Sequence, residues 1–205
     1  MTDIYVYNQL TKDNNGNIKV DQNGNLGITS SNTPVKVGNL DADFNLGWTN
    51  HFTYKGIDLG VVLSARVGGL AYSATQGILD YYGVSETSAT ARDNGGIPIN
   101  NGKVNAQKYY QAIGTGEGGY GRYYLYSATN VRLQELSLNY TLPKRWFKNV
   151  ANVTLGVVGR NLWMLYCKAP FDPESTASTG TYNQGMDYFM QPSLRSMGFS
   201  AKISF

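Results

Sequence analysis

The sequence predicts an all-β fold whose long antiparallel strands form one segment of a transmembrane β-barrel. Five runs of the chain alternate apolar residues with small or polar ones, which is the period of a strand with two unlike faces. The first two runs extend over ten residues or more, whereas soluble strands average about five to six and bilayer-crossing strands need roughly nine to eleven. Long and short connections alternate between the runs, as external loops and periplasmic turns do in outer-membrane barrels.

The composition agrees with this class and excludes several others. Of the 205 residues, only 15% are charged but 13% are aromatic. The chain has 24 glycines and 16 tyrosines, but only one cysteine and one histidine. One cysteine allows no disulfide framework, and one histidine allows no multi-histidine metal cage. A net charge of +3 is too small to indicate a nucleic-acid partner. No stretch approaches the roughly 18 apolar residues of a spanning helix, and the first residues do not resemble a signal peptide.

Residues 1–41 are polar and rich in Asn and Gly, and they are predicted to form an extracellular loop with a short hairpin. Asn-Gly turns follow Asp13 and Asp21, and a short strand over 18–20 separates them. The spacing of Asp13, Asn15 and Asp21 is similar to that of a calcium loop, but the closing acidic residues of an EF-hand are missing. We therefore interpret both segments as plain turns and predict no cofactor, with calcium as the weaker alternative.

Residues 42–205 are predicted to carry the barrel strands. The first two strands form a hairpin around a tight turn at Lys55 and Gly56. The third strand spans 131–142 and needs a bulge near Gln134, because its apolar residues change phase there. A fourth strand begins near residue 153 and a fifth ends the chain. The two long connections, 70–127 and 166–192, are predicted to be extracellular loops, and the first of them contains short helices.

Charged residues on the predicted strands are expected to avoid lipid. Arg66, Arg132 and Arg160 lie on or near strands, where an arginine facing lipid at the bilayer midplane costs roughly 2 to 4 kcal/mol. We expect them to face the lumen, where Asp58 and Glu135 are candidate partners in a salt-bridge network.

Aromatic residues fall into two groups with different predicted roles. Those near strand ends suit the aromatic girdle of a membrane interface; they are Trp48, Tyr54, Tyr140, Trp146 and Trp163. Those in the long loop could stack on sugar rings or contact a partner protein, and packing of the loop on itself is the alternative; the candidates are Tyr109, Tyr110, Tyr123 and Tyr124.

No catalytic site is predicted. His51 has no serine motif and no acid at a useful spacing, so we interpret it as a hydrogen-bonded wall residue. The acidic residues of the loops, among them Asp80, Asp172 and Asp187, are interpreted as ordinary solvated charges. The chain is accordingly predicted not to be an enzyme.

Six stretches of the chain resemble one protein family. They are 37–39 with 46–50, 52–59, 66–69, 130–143, Gly159-Arg160-Asn161-Leu162 and Phe171-Asp172-Pro173-Glu174, and the chain ends on Phe205. Their order and spacing are similar to those of the C-terminal part of the SusC/RagA family of TonB-dependent outer-membrane transporters. Each motif is weak by itself, but together they extend over nearly the whole chain.

The resemblance implies a barrel of about 22 strands that imports oligosaccharides, peptides or similar nutrients through the outer membrane. It implies a SusD-like surface lipoprotein over the barrel mouth, and a plug and TonB box in a preceding part of the protein. It also implies that the barrel assembly machinery recognises the last strand, with Phe199, Ile203 and Phe205 as the signal. The other expected partners are the lipid bilayer and the rest of the barrel, and we expect this C-terminal segment not to transport alone.

Two other interpretations remain open. A soluble all-β module that binds carbohydrate would also use tyrosines and tight turns, but its strands would face a soluble core. A small independent barrel is disfavoured, because single-chain bacterial barrels have even strand numbers from about eight upward and only five long strands are predicted here.

Overall fold

The computed structural model describes residues 3–114, 121–177 and 185–204, and these residues belong to two compact units. We call one the sheet unit, because it carries the long strands, and the other the loop unit, because it carries the short elements. The sheet unit comprises Ala42–Gly68, Ala128–Ser175 and Gln191–Phe205. The loop unit comprises Met1–Asp41, Gly69–Ser127 and Thr176–Met190.

The fold is mostly β, with short helices between the strands. The strands are β1 Asp3–Leu10, β2 Ile28–Asn39, β3 Phe44–Tyr54, β4 Ile57–Val67, β5 Leu70–Ser73, β6 Ile97–Ile99, β7 Gly102–Val104, β8 Leu125–Ser127, β9 Asn130–Thr141, β10 Asn152–Cys167, β11 Met186–Asp187 and β12 Ser196–Ser204. The helices are α1 Ala74–Tyr81, α2 Glu86–Asp93 and α3 Ala106–Ile113, with 3-10 turns at Gly121–Tyr124 and Lys144–Phe147.

The sheet unit is one antiparallel sheet in the order β12-β10-β9-β4-β3. Its strands have 9 to 16 residues, which confirms the long runs predicted from the alternation. Strands that follow one another along this unit lie next to one another in the sheet. Its two outer strands, β3 and β12, are not paired with each other, so the described sheet is open and is not a closed barrel.

The predicted β3–β4 hairpin is confirmed, and its turn explains the residues found there. Lys55 and Gly56 both have positive φ angles, of 47° and 86°. A two-residue turn with two positive φ angles matches the right-handed twist of the flanking strands. At Gly56 a Cβ atom would also lie 2.9 Å from the carbonyl oxygen of Thr141, so a side chain has no room there.

The predicted bulge in β9 is confirmed at Gln134. Against β4, the register passes directly from Glu135 opposite Val62 to Leu133 opposite Leu63, so Gln134 is the extra residue. Because of the bulge, Leu133 lies on the same face of β9 as Leu136 and Leu138. This is the correction that the change of phase in the sequence required. The pairing of β9 with β10 is irregular at the same level.

The loop unit consists of small elements around a core of its own. β1 and β2 form a hairpin, β5 pairs with β8 and β11, and β6 pairs with β7. The short helices predicted within 70–127 are present as α1, α2 and α3. The core cluster contains Leu10, Leu26, Ala91, Ile99, Val104, Ala106, Tyr110, Ile113 and Tyr124.

Candidate functional site

The strand register gives the five-stranded sheet one apolar face. Directly opposed residues of paired strands lie on the same face, so each row of the sheet can be followed from strand to strand. One row consists of Phe52, Leu59, Leu138, Val157 and Phe199. Most of its members are exposed, and Phe199 is 90% exposed. A contiguous exposed apolar face of this kind marks a surface that contacts a membrane or a protein.

Aromatic residues mark two levels of the apolar face. Tyr54 and Tyr140 lie in one row, linked through Ile57, and Trp48 and Trp163 lie in another, linked through Leu63 and Leu133. Trp48 and Tyr54 are six positions apart in β3, so the two rows are about 20 Å apart along the strand. The remaining aromatic candidate, Trp146, is 64% exposed in the 3-10 turn between β9 and β10.

The five charged candidates share the opposite face of the sheet. The alternation and the register place them there together: Asp58, Arg66, Arg132, Glu135 and Arg160. The Nε atom of Arg160 lies 2.9 Å from Oε2 of Glu135, which is one of the predicted partners. Asp58 accepts a hydrogen bond of 3.1 Å from the hydroxyl of Thr53. Small and polar residues occupy most of the rest of this face.

Arg132 pairs with acidic residues that the sequence did not indicate. Its guanidinium lies 2.6 Å from Oδ1 of Asp172 and 3.7 Å from Oε2 of Glu174. The side chains of Arg132 and Asp172 are only 4% and 8% exposed, so the interpretation of Asp172 as a solvated charge is wrong. The physical reason is that the Phe171–Glu174 motif folds back onto β9, where a buried arginine needs a counter-charge.

The carboxylate of Asp172 also organises the backbone around it. It accepts the backbone N–H groups of Glu174 and Ser193, at 3.1 Å and 3.2 Å. Burial by itself raises the pKa of Asp172, but the hydrogen bonds from Arg132 and Ser193 outweigh burial and hold that pKa below its usual value. Within the sheet unit, the ionised Asp172 therefore links its own segment and the segment of Ser193 to Arg132 of β9. We call the group of Arg132, Asp172 and Glu174 the loop brace.

The four tyrosine candidates do not share one environment. Tyr110 and Tyr124 lie in the core of the loop unit, and Tyr124 is only 2% exposed. For these two the structure shows packing of the loop on itself, and they offer little surface to a partner. Tyr109 is half-buried and makes an edge-on contact with Tyr123, at 6.3 Å between ring centroids. Tyr123 is 40% exposed and is the member of the group most accessible to a ligand or partner.

Two further loop acids are buried, which also corrects their interpretation as solvated charges. Asp80 accepts hydrogen bonds from the hydroxyls of Ser85 and Thr87 and, at 2.9 Å, from the amide of Gln76. Asp187 accepts the hydroxyl of Ser73 at 2.8 Å. The sequence carried one usable signal for α2 and its contacts, because a serine in front of an acidic first turn is a helix N-cap.

The loop unit contains an open cleft of about 890 Å³. It lies by the end of β1, the start of β2 and the 3-10 turn at Gly121–Tyr124. Its lining residues are Gln9, Leu10, Thr11, Lys12, Ile18, Thr29, Arg122 and Tyr123. The sequence singled out Tyr123 only, because the other side chains come from segments that approach each other through folding.

The two Asp-x-Asn-Gly segments, which begin at Asp13 and Asp21, form matching turns. Oδ1 of Asp13 accepts the backbone N–H groups of Asn15 and Asn17, each at 2.8 Å, and Asp21 makes the corresponding bonds in its own turn. The hydrogen bond from Asn17 lowers the pKa of Asp13. Within the described ranges, no group of three or more His, Cys, Asp or Glu side chains is placed to hold a metal ion.

Two of the three residues predicted as the C-terminal assembly signal can be located. Phe199 and Ile203 both lie exposed on the apolar face of β12. Phe205, the third, lies outside the described residues. In the part of the chain that the structure describes, no helix is long and apolar enough to span a membrane.

Comparison with known proteins connects this geometry to one class of transporter. No family model matches the chain. Over 200 residues the chain is 26% identical to TonB-dependent receptor P3 of Formosa agariphila. That match covers 94% of this chain and 19% of the receptor, so the chain spans about a fifth of the length of this curated relative.

Solved structures of a peptide importer share the fold. The RagAB importer in its closed-closed state matches 98% of this chain and 22% of its own chain, with a TM-score of 0.59 and 17% identity. A second structure, of the RagAB peptide transporter, matches 97% of this chain and 24% of its own, with a TM-score of 0.60 and 16% identity. The resemblance to part of a SusC/RagA-type TonB-dependent receptor is confirmed, and so is the predicted outer-membrane location.

Proposed function

We propose that this chain, which matches part of a SusC/RagA-type TonB-dependent receptor, forms membrane-spanning strands and external loops of an outer-membrane nutrient importer. The cargo class we propose is an oligosaccharide or a peptide, and the chain has no catalytic role. In this proposal the sheet is one segment of a barrel of about 22 strands, and the rest of the barrel and the plug come from elsewhere in the protein.

The exposed apolar face of the sheet is the observation that carries this proposal. Phe52, Leu138 and Phe199 occupy one row of this face, and all three side chains are exposed among the described residues. A lipid bilayer removes such side chains from water, with a gain of about 25 cal/mol for each Å² of apolar surface. The tyrosine and tryptophan rows then correspond to the aromatic girdles on either side of the apolar band.

The opposite face of the sheet supports a lumen-facing role for the charged residues. The pair of Arg160 and Glu135 lies on the face that carries Asp58 and Arg66. This segregation keeps every one of the five charged candidates away from the face assigned to lipid. A barrel wall with lipid outside and a water-filled or plugged lumen inside requires this arrangement.

The loop unit is proposed to lie outside the cell and to meet the partners of the importer. A surface lipoprotein like the partner in the RagAB structures would contact this unit, with Tyr123 as the best exposed candidate for that contact. Energy would come from the TonB system through the plug, and the last strand would be read by the barrel assembly machinery. The lipid-facing positions of Phe199 and Ile203 suit that second role.

Two neighbouring residues of β3 provide the test. Phe52 and His51 are both exposed, but Phe52 lies on the apolar face and His51 on the polar face. In the full-length importer, Phe52→Arg should reduce the amount of heat-modifiable, membrane-inserted barrel, because arginine near the midplane costs about 2–4 kcal/mol. His51→Arg is the matched control and should assemble normally. Equal assembly of the two variants would contradict the assignment of the faces.

A soluble carbohydrate-binding module is the second candidate. The observation in its favour is the loop unit, which has its own core and an open cleft. Expression of the 205-residue chain separates the two proposals. A folded, monodisperse chain in buffer without detergent supports the module, whereas a chain that needs detergent or the rest of the barrel supports the importer.

A further inference from the structure

The cleft of the loop unit combines two cationic side chains with no acidic one among its described lining residues. Lys12 and Arg122 line it, and neither makes an ion pair within the described part of the chain. Asp13, which directly follows Lys12, uses its carboxylate to cap its own turn. The described lining residues therefore carry a net positive charge, which favours an anionic ligand, and the volume of about 890 Å³ lies in the usual range of ligand sites.

Tyr123 gives the cleft a flat, accessible ring that is held in place by another tyrosine. Tyr109 contacts Tyr123 edge-on, and Tyr109 in turn packs edge-on against Tyr110, with centroids 5.3 Å apart. Tyr110 belongs to the core of the loop unit. An exposed ring anchored to a core loses little conformational entropy on binding, which favours stacking on another flat surface.

The remaining polar groups of the cleft are side-chain amides and hydroxyls. Gln9 offers a carboxamide, and the hydroxyls of Thr11 and Thr29 are hydrogen-bonded to each other at 2.5 Å. Such groups both donate and accept, as the hydroxyl groups of a sugar do.

We propose that this cleft binds an acidic oligosaccharide. Lys12 and Arg122 pair with the carboxylate of the sugar, Tyr123 stacks on a sugar ring, and Gln9 with the two threonines binds hydroxyl groups. The physiological use of the site as a cargo or docking subsite rests on the importer proposed above, but binding itself does not depend on transport.

Calorimetry on the full-length receptor in detergent tests the site. The probes are tri-galacturonic acid and tri-mannuronic acid, with maltotriose as the neutral sugar and tri-glutamate as the acidic peptide. We expect at least one acidic trisaccharide to bind, with an affinity that falls as salt is added, and maltotriose to bind at least tenfold more weakly. Arg122→Gln and Lys12→Gln should each weaken binding about tenfold or more, because a charge-assisted hydrogen bond is lost.

Matched variants keep the result interpretable. Tyr123→Ala should weaken binding about fivefold or more, because the stacking surface is lost. Lys19 is an exposed lysine that does not line the cleft, so Lys19→Gln should leave the binding affinity unchanged. No binding of either acidic trisaccharide, equal binding of maltotriose, preference for tri-glutamate, or insensitivity to Arg122→Gln would each overturn the site. Membrane assembly of the same variants is scored separately, so a failed site leaves the importer proposal standing.

Discussion

The loop unit and the sheet unit place their apolar side chains in opposite ways. In the loop unit Tyr124 is 2% exposed and packs with other buried residues, whereas in the sheet unit Phe199 is 90% exposed. Among the described residues of the sheet unit, only Ala128 and Pro173 have fully buried apolar side chains. The loop unit therefore supplies its own hydrophobic core, and the sheet unit depends on its surroundings for one. In the importer proposed above, this difference corresponds to a water-facing part and a lipid-facing part of the chain.

The largest effect is expected from removing a ring in the core of the loop unit. Tyr124→Ala should lower the local opening free energy of α3 by about 3–5 kcal/mol, because a large cavity replaces a buried aromatic side chain. Hydrogen exchange of the α3 amides in the full-length protein measures this change. Phe199→Ala is the control from the sheet unit and should leave α3 unaffected. Equal protection in the two variants would remove the distinction between the units.

The next effect concerns the loop brace, through which the sheet unit buries charge. Asp172→Asn should weaken protection of the amide of Ser193, which donates to Asp172, by about 3 kcal/mol, because Arg132 loses its buried counter-charge. Glu174→Gln is the matched control, with a longer contact and a more exposed side chain. A loss as large in Glu174→Gln would mean that Asp172 is not the main partner.

The same brace should respond to acid in a defined direction. Since the pKa of Asp172 is lower in the folded protein than in the unfolded chain, its stabilising effect is complete above the ordinary pKa of about 4. It is lost as the pH falls through the lower folded value. Protection of the Ser193 amide, corrected for intrinsic exchange, should therefore fall below about pH 4 in the wild type and show no such step in Asp172→Asn. A decrease between pH 5 and 8 would contradict this assignment.

The smallest effect tests how the loop unit holds α2. Ser85 caps this helix by accepting the N–H of Ser88 at 3.0 Å, and its hydroxyl also donates to the buried Asp80. Ser85→Ala should reduce the hydrogen-exchange protection of the α2 amides by about 1–2 kcal/mol. Thr90→Ala, at an exposed position of the same helix, should change it little. A loss confined to α2 would show that the loop unit can open locally while the sheet remains paired.

The sheet could be predicted from the sequence because apolar and polar residues alternate along its strands. This alternation shows on which face of the sheet each side chain lies. The hairpin at Lys55 and Gly56 and the bulge at Gln134 followed from turn chemistry and from a change of phase, both of which are local signals. The separation of the charged residues from the aromatic rows followed from the same alternation.

The loop unit could not be predicted to the same depth because its contacts join distant segments. Nothing within a few residues of Asp80 indicates that it is buried, and the burial of Asp172 depends on Arg132, 40 residues earlier in the chain. Tyr124 and Tyr123 are adjacent in sequence, but one is a core residue and the other is exposed. The cleft likewise combines β1 with residues 122 and 123, which are more than a hundred residues away.

The pairing of Arg66 with Asn130 has a consequence for how such a chain can change during evolution. These residues lie directly opposite each other in β4 and β9, at the two ends of the long connection between the strands. Their register is set by strand pairing, so the connection can lengthen, shorten or be exchanged with only a small cost in chain entropy. Selection can therefore replace the segment between β4 and β9 while the two strands that carry it are inherited unchanged.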